Sequence, residues 1–183
     1  MKKNNIKRKN KSGFTLVEML CSVLLIGLIS AGLAKGVSLG LYQYKRSVRH
    51  SSSYQLFTTL QTIISNELKY TNKVTLDENN NVKEFYSVTY ALKDNTTSLY
   101  ILDKDENVTD GYGEVAIGDG KDYNYLLSSK SYSDSLGAKC NITYDENSDI
   151  FIVYLQIGVN DEVDPYIDQT FSVRSIEDID IKQ

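Results

Sequence analysis

Glu18 is the one carboxylate between Phe14 and Ala34, a run of 21 residues that is otherwise uncharged and mostly apolar. A carboxylate that deep in a membrane-length segment costs on the order of 2–3 kcal/mol without a partner. Six cations stand ahead of it, Lys2, Lys3, Lys7, Arg8, Lys9 and Lys11, and Gly13 sits at the junction. Other chemistry-bearing residues are sparse. His50 is the only histidine, beside Arg46 and Arg49, and reads as a solvated neck residue. The sequence holds no Ser-His-Asp set, no H-E-x-x-H, no C-x-x-C and no phosphate loop, so no enzyme is expected. Acidic pairs such as Asp161 and Glu162 with Asp164 read as solvated loop charge.

One segment invites a metal. Asp103, Asp105, Asn107 and Glu114 occupy positions 1, 3, 5 and 12 of a calcium-loop template, with Thr109 at position 7. Position 6 is Val108, where that loop wants glycine, and the flanks read as strands rather than helices. Calcium on these four residues is therefore a candidate beside the plainer reading of an acidic hairpin turn. No other cofactor is expected.

The elements that must position these groups follow from periodicity. Between Phe14 and Lys73 there is no proline, and past the apolar run Leu56, Leu60, Ile63, Ile64 and Leu68 recur at helical spacing. A helix over 14–73 is expected, spanning a membrane over about 14–34 and burying one stripe in its second half. Ser51, Ser52 and Ser53 suggest a bend between the halves. Gly32, Gly36 and Gly40 form two overlapping G-x-x-x-G steps, a face that permits close helix–helix approach in lipid. After residue 73 the pattern becomes short alternating runs between turn formers, with strands expected at 83–92, 98–102, 113–117, 123–127, 139–144, 150–158 and 169–174. The fold class is α+β, a long N-terminal helix packed on a mostly antiparallel sheet. Three parts result: a leader at 1–13, the helix at 14–73 and a β-rich head at 74–183.

Charge divides along the same lines. Without the six leader cations, 14 Lys and Arg face 24 Asp and Glu, a balance of −10. Residues 74–183 alone carry 8 against 22, or −14, and such a head repels nucleic-acid phosphates, so direct nucleic-acid binding is not expected. The only basic cluster outside the leader is Lys45, Arg46 and Arg49 at the neck. The leader cations hold the N-terminus in the cytoplasm by the positive-inside rule. The head then lies outside. A secretory signal core would run about 7–15 residues and end in small residues, which this longer run does not. Cys21 in the span and Cys140 in the head are too far apart along these elements to pair within one subunit.

The string Gly13-Phe14-Thr15-Leu16-Val17-Glu18, behind a basic leader and ahead of an apolar helix, resembles the processing site of type IV prepilins and pseudopilins. The resemblance implies a structural filament subunit with no catalytic residues. A membrane-embedded prepilin peptidase would cut after Gly13 and methylate the new amine of Phe14. Glycine suits such a site because its backbone is drawn out at little steric cost. The resemblance also implies that Glu18 pairs with the Phe14 amine of a neighbouring subunit, a buried charge meeting its opposite. Partners implied are other pilin or pseudopilin subunits through the N-terminal helix, the cytoplasmic membrane and an inner-membrane assembly platform. The chain would sit single-pass in the cytoplasmic membrane and move into an extracellular filament of a type IV pilus, competence or secretion system. The order of helix, Tyr-rich hairpin and acidic loops is similar to J-type minor pseudopilins and W-type minor pilins. The alternative is a filament-tip adhesin or a ligand- or DNA-binding receptor on the same anchor.

Overall fold

A computed structural model describes residues 14–87 and 96–182. It has one long helix, α1 (Leu16–Lys69), followed by nine strands: β1 (Lys73–Leu76), β2 (Val82–Tyr86), β3 (Thr96–Leu102), β4 (Glu114–Gly118), β5 (Tyr123–Tyr125), β6 (Gly137–Asp145), β7 (Ile150–Gly158), β8 (Ile167–Val173) and β9 (Asp180–Lys182). Contacts divide the chain into two units, Met1–Arg46 and Ser47–Gln183. In the first, every described residue is exposed, including Leu20, Leu24, Leu28 and Ile29. This is the one helix among the described residues long and apolar enough to cross a membrane.

The second unit holds the core. Leu56, Phe57, Leu60, Ile64 and Leu68 recur every three to four residues, so they form one helical stripe, and all five are buried. Against them lie two sheets, one in the order β5-β4-β3-β2-β1-β9 and one in the order β6-β7-β8. All pairings are antiparallel except that of β1 with β9. The alternation of β7 is strict: Phe151, Val153, Leu155 and Ile157 are buried, while Ile152, Tyr154 and Gln156 face outward. Phe171 of β8 meets Phe57 of the helix edge to face, at 6.5 Å between ring centres. The expected α+β class, helix on mostly antiparallel sheet, is the class observed.

Several boundaries move. The helix ends at Lys69 instead of running to 73, because residues 73–76 extend into β1. Neither β1 nor β9 was expected, and the strand expected at 83–92 is seen as β2 up to Tyr86, its last residues lying outside those described. Ser51, Ser52 and Ser53 lie within the helix, and buried Ser53 donates to the Arg49 carbonyl at 2.8 Å. Both cysteines are free, and burial pushes the Cys140 thiol up to about 12.

The helix end is closed from far along the chain. The Lys69 carbonyl, one of the orphan acceptors of a helix C-terminus, takes the Ile176 N–H at 2.9 Å. Buried Ser175 donates to the Thr71 carbonyl at 2.7 Å, and the Thr71 hydroxyl lies 3.0 Å from both the Glu67 and Tyr86 carbonyls. Glu67 is itself buried, its carboxylate accepting the Ser87 hydroxyl at 2.7 Å. Ser175→Ala leaves the Thr71 carbonyl unsatisfied in a buried place, so chemical denaturation is expected to show a loss of about 1–3 kcal/mol.

Candidate processing and assembly site

Thr15 and Glu18 form a reciprocal cap at the start of α1. The Thr15 N–H and hydroxyl both donate to Glu18 Oε2 at 2.9 Å, and the Glu18 N–H points back to Thr15 Oγ1 at 3.3 Å. The first helical bond, from the Met19 N–H to the Thr15 carbonyl, closes at 3.2 Å. This is a capping box, in which residues three apart satisfy donors that the helix cannot. A carboxylate in the first turn also meets the positive end of the helix dipole. The spacing Thr15-x-x-Glu18 was legible in the sequence as a capping signature, but the resemblance drew attention to Glu18 as a docking group alone.

Phe14 stands next to this cap and is 77% exposed; Gly13 lies outside the described residues. The apolar ring of Phe14 and the carboxylate of Glu18 are thus both presented at the helix start. A Cβ built on Gly32, Gly36 or Gly40 meets nothing within 4 Å, so that face is open to a neighbouring helix. The four calcium candidates are placed differently. Asp103 starts a tight turn, its Oδ1 accepting the N–H groups of Asp105 and Asn107, each at 2.9 Å, while Glu106 takes φ 61°. The Asn107 N–H is the main reason its carboxyl stays below the usual range. Glu114 sits in β4 opposite Leu102 and accepts the Ser129 hydroxyl at 2.9 Å. Among the described residues no group of three or more His, Cys, Asp or Glu side chains is placed to hold a metal ion.

Two further polar arrangements escaped the sequence reading. Asp77, Asp119 and Asp145 each accept backbone N–H groups two to four residues ahead, so much of the acidic loop charge builds turns. Arg49 donates to Glu162 Oε1 at 3.0 Å and to the Tyr166 hydroxyl at 3.1 Å, and Tyr166 donates to the same Glu162 oxygen at 2.8 Å. Glu162 is therefore engaged, where a solvated charge was expected. No local signal joins residues more than 110 positions apart.

A long helix with a capped carboxylate in its first turn, continuing into a β-rich head, is a pilin-like architecture. Residues 8–34 match the family model described as the prokaryotic N-terminal methylation motif, which supports the resemblance to type IV prepilins and pseudopilins over that segment. The head lies outside the match. No curated protein and no solved structure matches the chain significantly.

The geometry separates two functions of Glu18. Glutamine keeps the cap, since capping boxes accept Glu or Gln, whereas alanine removes it. Glu18→Gln is expected to preserve helix content of the detergent-solubilised chain by circular dichroism, and Glu18→Ala to fray the first turn.

Proposed function

We propose that this chain is a structural subunit of a type IV pilus-like or pseudopilus filament, cut after Gly13 and N-methylated at Phe14. The observation that carries this reading is the methylation motif at 8–34, joined to a first turn in which Glu18 is already oriented by Thr15. Among the described residues the Glu18 carboxylate is held by Thr15. Once the leader is removed, the new Phe14 amine of an adjacent subunit supplies the opposite charge at the same depth. Ion pairing then favours a bundle over an isolated helix, because the unpaired charge is costly in hydrocarbon. The open face at Gly32, Gly36 and Gly40 allows the helices to approach closely.

The prepilin peptidase and an inner-membrane assembly platform are the implied partners, and the head faces the exterior. The helix, hairpin and acidic-loop order further supports a minor component of the J-type or W-type kind. The head needs no catalytic centre for this work.

Mass spectrometry of filament-associated chain is expected to find an N-terminus at Phe14 carrying one methyl group, and Gly13→Val is expected to block that maturation. Recovery of uncut chain from filaments would contradict the reading. Because the Asp103 carboxylate is already engaged by its own turn, millimolar calcium is expected to leave the melting temperature of the 47–183 head unchanged. A calcium-dependent rise of several degrees would assign a site to Asp103, Asp105, Asn107 and Glu114.

A further inference from the structure

Val163 is 98% exposed, yet the loop that carries it is anchored on both sides. Asn160 accepts the Tyr112 N–H at 2.7 Å and donates to the Tyr112 carbonyl at 2.9 Å. Glu162 just before the tip and Tyr166 beyond it are tied to each other and to Arg49, and the Glu162 N–H closes a turn on the Val159 carbonyl at 3.1 Å. A bare valine on a pinned loop is a preformed contact point, since little ordering cost remains when a partner covers it. Asp161 and Asp164 flank it, exposed and without an ion pair among the described residues.

The complementary surface is on the same sequence. Tyr42, Lys45 and Arg46 are three and four positions apart on α1, so they share one helix face. Tyr42 is 62% exposed, and neither Lys45 nor Arg46 enters an ion pair among the described residues. Two cations around an exposed ring match two anions around an exposed valine. We propose that the Val163 loop of one subunit docks on the Tyr42, Lys45 and Arg46 neck of a second copy of this chain. Where one loop meets one neck at each contact the interface is heterologous, and it extends into an open assembly when its rotation does not close a ring. The proposal rests on the filament reading above and adds which surfaces of the chain meet.

The test uses full-length chain expressed in cells that assemble the filament, first asking whether the chain is present in sheared filaments. In a Cys21→Ser, Cys140→Ser background, Val163→Cys combined with Tyr42→Cys is expected to give a ladder of disulfide-linked multimers on mild oxidation, with neither single variant doing so. Asp161→Lys with Asp164→Lys is expected to cut incorporation about tenfold through like-charge contact, and adding Lys45→Glu with Arg46→Glu to restore it. Filaments that contain the chain but show no Tyr42–Val163 crosslink, or a charge reversal that the swap does not rescue, overturn the docking proposal alone. Normal accumulation of each variant in the membrane excludes misfolding as the cause. Absence of the wild-type chain from filaments overturns the subunit reading and the docking proposal with it.

Discussion

Burial of one helical stripe holds the head together. Leu56, Leu60, Ile64 and Leu68 are at most 3% exposed and belong to the same core as Phe85 and Val115 of the larger sheet and Phe151, Val153 and Leu155 of the smaller. Each sheet alone has one apolar face and nothing of its own to cover it. The helix supplies that cover. Deleting a side chain such as Leu60 would remove contacts to the surrounding core at a cost of about 2–5 kcal/mol, a large share of a domain's stability. Towards its N-terminus the same helix changes character, with apolar residues exposed all round. A helix that is hydrophobic on every side belongs in lipid or among other helices.

Glu18 then has a local task and, in the filament reading, an intermolecular one. Within the chain it satisfies the Thr15 N–H at the helix start, where the dipole also favours a negative group. Between subunits, in the filament reading, its remaining acceptor capacity meets a cation. A carboxylate has about four lone-pair sites, so accepting from Thr15 leaves room for an amine. The cap fixes the carboxylate before any partner arrives.

Much of this was legible in the sequence, and the rest was hidden for physical reasons. The processing string is a run of adjacent residues, and the stripe at Leu56, Leu60, Ile64 and Leu68 repeats at 3.6, so both announce themselves locally. Strand β7 was legible over its whole length, Ile150–Gly158, because it is a run of β-branched and aromatic residues behind a turn-forming stretch. The short strands β1 and β9, of four and three residues, alternate too briefly to stand out. Lys73 was placed in the helix and 74–76 in no strand, since pairing with Val82–Tyr86 and with Asp180–Lys182 is what makes Lys73–Leu76 a strand. The Arg49, Glu162 and Tyr166 cluster was invisible for the same reason, since charges on a helix and a distant loop show no spacing rule. Asp103 reads two ways in sequence because acids at alternate positions suit both a calcium loop and a tight turn.

The closure of the helix end by Ser175 and Ile176 sets an order of events during folding. Residues 69–72 emerge early, yet the groups that satisfy Lys69, Thr71 and Asn72 lie more than 100 positions later. Until those residues have docked, the larger sheet ends at β1 and the helix ends in bare carbonyls. Non-local pairings of this kind form slowly, because a long loop must close before any contact rewards it. A chain halted before that point would therefore carry an open sheet edge and a frayed helix end. The last strand thus seals the edge that the first leaves open.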